Sequence, residues 1–201
     1  MRTTLALLLT LGQAPALVCA VPVNYEIDPD HTHPAFEADH FGMSLWRGFF
    51  RKASGTVTLD AEARTGVVDI DVDIASVDFG NDKLNDTAVN ASAPPIFEAA
   101  KYPTAHYHGT LGGFVNGAPT TLTGSLTLHG VTRPLTLTIN QFKCIPNHPI
   151  VKREVCGADA TGTFNRADFG ITVGKLYGFK MDVTLRIQVE AIKAEPVATQ
   201  Q

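Results

Sequence analysis

Asp182-Val183-Thr184-Leu185-Arg186-Ile187-Gln188-Val189-Glu190-Ala191 alternates polar and apolar residues at every step. A period of two belongs to a β-strand, because successive side chains point to opposite faces. One face of this strand is therefore apolar and the other wet. Working outward, Val68, Ile70, Val72 and Ile74 alternate with Asp69, Asp71 and Asp73 in the same way. Leu122, Leu126 and Leu128 share a face. After a turn at His129-Gly130, Leu135, Leu137 and Ile139 alternate with Thr136 and Thr138. Val57 and Leu59 mark a further strand leading to a turn near Ala61–Gly66. Turn residues recur at Gly112-Gly113 and Asn116-Gly117, which favours hairpins. Antiparallel strands on short turns build sandwiches or barrels, so the fold class is all-β.

One region breaks the alternation. Asn81 to Lys101 sets Leu84, Val89, Ile96 and Phe97 among polar residues and alanines. It reads as one or two short helices, interrupted at Pro94-Pro95 and capping one end of the sheet structure. The tail from Glu195 to Gln201 is expected to fray. No repeat, low-complexity tract or linker divides the chain, so residues 21–201 read as one domain.

The chain has 201 residues, 44% hydrophobic and 18% charged, with a formal net charge of −4. It can bury a core, and it shows no basic stripe, which argues against nucleic-acid binding. Residues 1–20 read as a secretory signal: Arg2, an apolar run from Leu5 to Leu11, and Val18-Cys19-Ala20 before a cleavage after Ala20. The run is too short to span a bilayer. Acylation of Cys19 is the rival reading, but Ala16-Leu17-Val18 fits lipoprotein processing poorly. Without the leader, 15 basic residues face 20 acidic ones. Cys144 and Cys156 then remain, and an even count in an exported chain points to a disulfide.

Several segments, in order and spacing, carry a resemblance. Tyr25-Glu26-Ile27-Asp28, His31-Thr32 and Phe36-Glu37-Ala38-Asp39-His40-Phe41-Gly42 come first. Trp46-Arg47-Gly48-Phe49-Phe50, Ser54-Gly55-Thr56-Val57-Thr58-Leu59-Asp60 and Lys101-Tyr102-Pro103-Thr104 follow. Then come Gly124 to Pro134, Cys156-Gly157-Ala158-Asp159-Ala160, Phe164-Asn165-Arg166 and Asp168-Phe169-Gly170. Together, from about Tyr25 to Lys193, they resemble the YceI-like family of periplasmic, polyisoprenoid-binding, lipocalin-like proteins. The resemblance implies an extended antiparallel β-barrel of about eight strands with one or two short helices near one end. It implies a tunnel for an isoprenoid lipid, polyprenyl or quinone-like, no catalytic role and no other cofactor. Two stretches depart from the family pattern. Pro34 replaces an aliphatic strand residue, so the second strand is expected to start late or at an edge. Ala91–Phe97 alters the family's short acidic-aromatic helix.

Alternation then proposes the barrel lining: Phe36, Ala38, Val57, Leu59, Val72, Ile74, Tyr107, Leu126, Leu128, Leu137, Leu185, Ile187 and Val189. The plain reading of each is core packing. His40, Arg47 and Trp46 flank a turn and are candidates for a headgroup at the mouth. Burying one CH₂ is worth about 0.8 kcal/mol, so tens of carbons drawn from water would exceed the practical ceiling of about 18–21 kcal/mol. The bilayer is the competing home, and it solvates the chain about as well. This favours reversible exchange through transient membrane contact. A homodimer is left open.

The alternative function is a periplasmic metal- or haem-binding protein. His31 and His33 are two apart, as are His106 and His108, and residues two apart share a strand face. Neither HExxH nor a ligand cluster supports either pair, so no metal is assigned. The nucleophile-elbow, P-loop and dinucleotide fingerprints are absent from the sequence.

Overall fold

A computed structural model describes residues 21–90 and 96–195. The expected leader, the Ala91–Pro95 part of the cap with its Pro94-Pro95 break, and residues 196–201 of the tail lie outside the described residues.

Eleven strands form one antiparallel sheet. They are β1 (Val23–Ile27), β2 (Ala35–His40), β3 (Ser44–Phe50), β4 (Ala53–Asp60), β5 (Thr65–Asp73), β6 (Val77–Asp78), β7 (Thr104–Gly112), β8 (Thr121–Leu128), β9 (Val131–Ile145), β10 (Val155–Asn165) and β11 (Asp182–Lys193). Three neighbouring pairs act as single long strands with a break. β11 pairs with β2 through Val183–Arg186 and with β1 through Ala191–Lys193, so β1 and β2 lie end to end along it. β3 and β4 continue each other opposite them, and β5 and β6 form the next broken strand. The ring then runs through β7, β8, β9 and β10 back to β11. The result is a closed eight-stranded barrel, which leaves its long strands no free edge.

Local sequence explains the joints. β2 starts directly after Pro34, the late start expected, and the Pro34 carbonyl accepts from the Phe50 amide at 2.9 Å. The turn between β8 and β9 has two residues, His129 (φ 53°) and Gly130 (φ 73°). Positive φ at both positions gives a backbone twist that matches the flanking strands.

One helix, α1 (Asp82–Asn90), follows β6. The Asn81 carboxamide oxygen accepts from the Leu84 amide at 3.0 Å, capping the helix start. Ala88 is fully buried, packed with Phe36, Val77 and Val183, and Phe97 joins the same cluster. The helix thus covers one end of the barrel. No second helix follows in the described part of this segment: after Phe97 the chain turns at Glu98, whose carbonyl accepts from the Lys101 and Tyr102 amides.

Asp78 ties this cap to the wall. Its carboxylate accepts from the Gly80 amide (2.7 Å), the Asn85 amide side chain (3.1 Å) and the Arg51 guanidinium. These donors, the Gly80 amide foremost, hold its pKa down at about 2. A second tie runs through His129, whose ring nitrogens meet the Glu98 carboxylate and the Phe169 carbonyl.

Candidate functional site

Small inward residues on several strands leave the barrel hollow. Val57, Val68, Ala105, Ala158, Ala160 and Ala191 face the axis where Leu or Phe would close it. The cavity so formed is about 300 Å³, at the lower end of the range for small-molecule sites. It runs from Tyr25, Leu59 and Cys156 at one end to Trp46, Phe97 and Phe179 at the helix-capped end. Its lining reaches residues near both ends of the strands, so the cavity is elongated along the barrel.

All thirteen side chains named from alternation line this cavity. The lining also includes residues that alternation did not reveal. Phe79, Phe97 and Phe179 lie in irregular connections, where a period of two has no meaning. Phe36 meets Phe79 edge-on at 5.5 Å and lies 5.6 Å from Phe50, which meets Phe97 at 5.9 Å. Phe142 was hidden by a register shift. β9 directs Leu135, Leu137 and Ile139 inward, but its pairing with β10 slips by one residue at Asn140, so Phe142 also faces in. A bulge of this kind swaps the faces of the strand beyond it.

The same slip places the cysteines. Cys144 lies directly opposite Cys156, and a disulfide joins them, as expected. Among the described residues, the one convergent set of potential metal ligands is Cys144, Glu154 and Cys156, whose sulfurs form this bond.

Polar groups in the wall are few and mostly engaged. Thr32 is buried, donating to the Glu190 carbonyl (3.2 Å) and accepting from the Glu190 amide (3.1 Å). The Tyr107 hydroxyl donates to the Leu135 carbonyl at 2.9 Å, with the Leu122 carbonyl at 3.2 Å. Burial pushes its pKa up to about 12. Burial, then the neighbouring Glu154 carboxylate, does the same at Tyr25, also to about 12. Asp39 and Arg166 are the ionisable pair at the helix end. The Asp39 carboxylate accepts from the Gly42 and Lys180 amides. The Arg166 guanidinium donates to the carbonyls of Ile171 (3.0 Å) and Val173 (2.7 Å), and burial lowers its pKa from the ordinary value.

The three proposed mouth residues separate. Trp46 lines the cavity. The His40 ring stacks on it at 4.0 Å and does not itself border the cavity. Arg47 lies elsewhere: its Nε donates to Glu37 at 2.8 Å, and Glu37 also accepts from Arg186. The basic residue that borders the cavity here is instead Arg166, in a connection that alternation could not orient.

The histidine pairs also separate. His106 and His108 share a face of β7 as expected, opposite to inward Tyr107. Each is bonded to its own carboxylate across the strand, His106 to Asp71 (2.9 Å) and His108 to Asp69 (2.8 Å). His31 is exposed and bonded to Asp28 at 2.8 Å, which raises its pKa. His33 packs 5.9 Å from Phe49, with Nδ1 buried and unpartnered.

Comparisons with known proteins agree with this architecture. The YceI-like domain model matches residues 25–191. A UPF0312 protein of Pseudomonas putida (strain W619) is 32% identical over 192 residues, covering 92% of each chain. A UPF0312 protein of Vibrio parahaemolyticus is 30% identical over 89% of this chain and 94% of its own. Among solved structures, Burkholderia cenocepacia BcnA superposes with a TM-score of 0.61 at 20% identity, over 82% of this chain and 98% of its own. A polyisoprenoid binding domain from Saccharophagus degradans, implicated in plant cell wall breakdown, gives 0.59 at 17% identity, over 86% of this chain and 99% of its own. At these identities the structural likeness establishes the fold.

Proposed function

This chain belongs to the YceI-like domain family, and on that premise we propose that it is a non-catalytic carrier of a long isoprenoid lipid. The observation that carries the reading is the elongated apolar cavity inside the barrel. A slender chain of methyl-branched carbons matches walls of Val, Leu, Ile and Phe, and it needs no polar partner along its length. The name of the Saccharophagus degradans neighbour, a polyisoprenoid binding domain, supports this ligand class.

The periplasm is the proposed location. The apolar leader supports it, as does a cross-strand disulfide, which persists in oxidising compartments. Exchange with membranes is the proposed mode of action, because transfer from bilayer to barrel trades one apolar solvent for another.

Native mass spectrometry of freshly purified protein, with organic extraction, tests the ligand. One prenyl lipid per barrel supports the proposal. Protein that carries no lipid and takes up none from prenyl-lipid vesicles overturns it. Stoichiometric metal without lipid would favour the histidine reading instead. Release is tested separately: loaded protein that gives no lipid to acceptor vesicles is not a carrier.

A further inference from the structure

We propose that the helix-capped end of the barrel docks on a lipid bilayer through two loops that form one apolar lip. The inference rests on the carrier reading and names the face by which that carrier meets its membrane. The first is the β2–β3 turn with the start of β3, which expose Phe41, Met43 and Leu45. The second lies between β10 and β11, where Leu176 is 99% and Tyr177 75% exposed. These five residues are half of the large apolar side chains exposed among the described residues, and the other five lie at or toward the opposite end of the barrel. Single exposed apolar residues need no explanation, but a contiguous set at one place marks an interaction site.

The two loops are joined. Phe41 meets Phe179 edge-on at 4.3 Å, and the Lys180 amide donates to Asp39 at 3.1 Å. The second loop is folded back on itself by the Phe179 amide donating to the Gly174 carbonyl at 3.2 Å, which leaves Leu176 and Tyr177 at its tip.

Continuity with the cavity selects the bilayer as occupant. Phe179, Asp39 and Trp46 belong to both the lip and the cavity wall. A prenyl chain leaving past them enters the medium in which the lip is seated and never crosses water. Tip-borne Leu, Met, Phe and Tyr suit shallow insertion at the level of the headgroups. Lys175 and Lys180 stand exposed on the same loop, placed for anionic headgroups although the chain as a whole is negative. Arg166, bonded to the Ile171 and Val173 carbonyls, anchors the start of this loop to the barrel.

Flotation with vesicles of phosphatidylethanolamine and phosphatidylglycerol provides the test. The wild-type protein is expected to float. Leu176→Asp combined with Tyr177→Asp should cut the bound fraction by about tenfold or more, given the cost of placing charge in the apolar boundary. Ile150→Asp, an equally exposed apolar site elsewhere, should leave it unchanged. Transfer of a fluorescent prenyl lipid should rise in proportion to vesicle concentration for wild type, the signature of collision, and should lose that dependence in the double variant. Equal flotation of wild type and double variant overturns the proposal, as does a wild type that never floats. A double variant that converts a dimer to a monomer by light scattering, with no vesicle binding in either, makes the lip a self-association surface and also overturns it. Flotation that depends on the lip in a protein that retains no prenyl lipid sinks the carrier reading and leaves the docking face standing.

Discussion

Gly109 on β7 lies directly opposite Gly124 on β8, and a side-chain carbon on Gly124 would sit 2.1 Å from the His108 carbonyl oxygen. The two strands approach too closely there for any other residue. The Tyr107 ring covers the bare backbone, its Cε1 lying 2.9 Å from where a Gly109 side chain would start. Glycines in a strand let a neighbouring backbone approach closely, and an aromatic ring laid over them restores packing that they lack. Gly124→Ala should therefore cost about 2–3 kcal/mol. Gly157→Ala, whose new carbon would find its nearest neighbours at 3.6 Å, should stay within about 0.5 kcal/mol. Urea denaturation of the two variants makes the comparison.

Tyr107→Phe should cost about 1 kcal/mol at neutral pH, from loss of the hydroxyl's bond to the Leu135 carbonyl. Its pKa in the fold, about 12, lies above the ordinary 10.0. The stabilisation is thus complete below pH 10 and disappears as pH climbs to about 12, because the unfolded chain ionises first. Alkaline unfolding followed by circular dichroism should be less steep in the Phe variant, with Tyr25 supplying the remaining dependence.

Asp78→Asn should act at the acid end. The folded carboxyl titrates at about 2, below its ordinary 3.8. Its contribution is present above about pH 4 and is lost as pH falls to about 2. In the Asn variant, stability should depend less on pH across that window, as read from thermal unfolding at a series of acid pH values. An unchanged slope would show that the Gly80, Asn85 and Arg51 contacts do not hold the charge.

Reducing the Cys144–Cys156 bond, or replacing both residues with Ser, should lower stability by about 3 kcal/mol, the loop-closure effect for cysteines 12 residues apart. Since Cys156 borders the cavity, the same change should loosen that end. Faster amide exchange in β9 and β10 beyond the Asn140 bulge is the measurement.

Ala160→Phe should fill the cavity. Ala160 lines the cavity, level with Ile139 and Ile187. A ring there enters existing space, so the stability change should remain under about 2 kcal/mol. Prenyl-lipid occupancy by native mass spectrometry should fall at least about tenfold, a loss of about 1.4 kcal/mol or more. Full occupancy would mean that the lipid does not use the middle of the barrel.

Much of the architecture was legible because strands report themselves through burial. Val183 to Ala191, Val68 to Val72 and Leu135 to Ile139 each display the face they bury, and every inward residue named from them borders the cavity. The helix was legible where the alternation stopped. Legibility failed in two kinds of place. Phe79, Arg166 and Phe179 lie in connections without a period. Phe142 lies beyond a bulge that exchanged inside for outside.

The one-dimensional pattern alone determined that the chain is built of antiparallel strands with one apolar face, since alternation is a local property that each segment carries wherever it lies. Closure was decided only in three dimensions. β11 had to be long enough to pair with β1 and β2 at once, and Gly109 had to meet Gly124 for β7 and β8 to approach as closely as they do. The hollow interior is likewise a sum over distant strands: a cavity exists where small residues far apart in the chain face one another, and no single segment records what stands across the barrel.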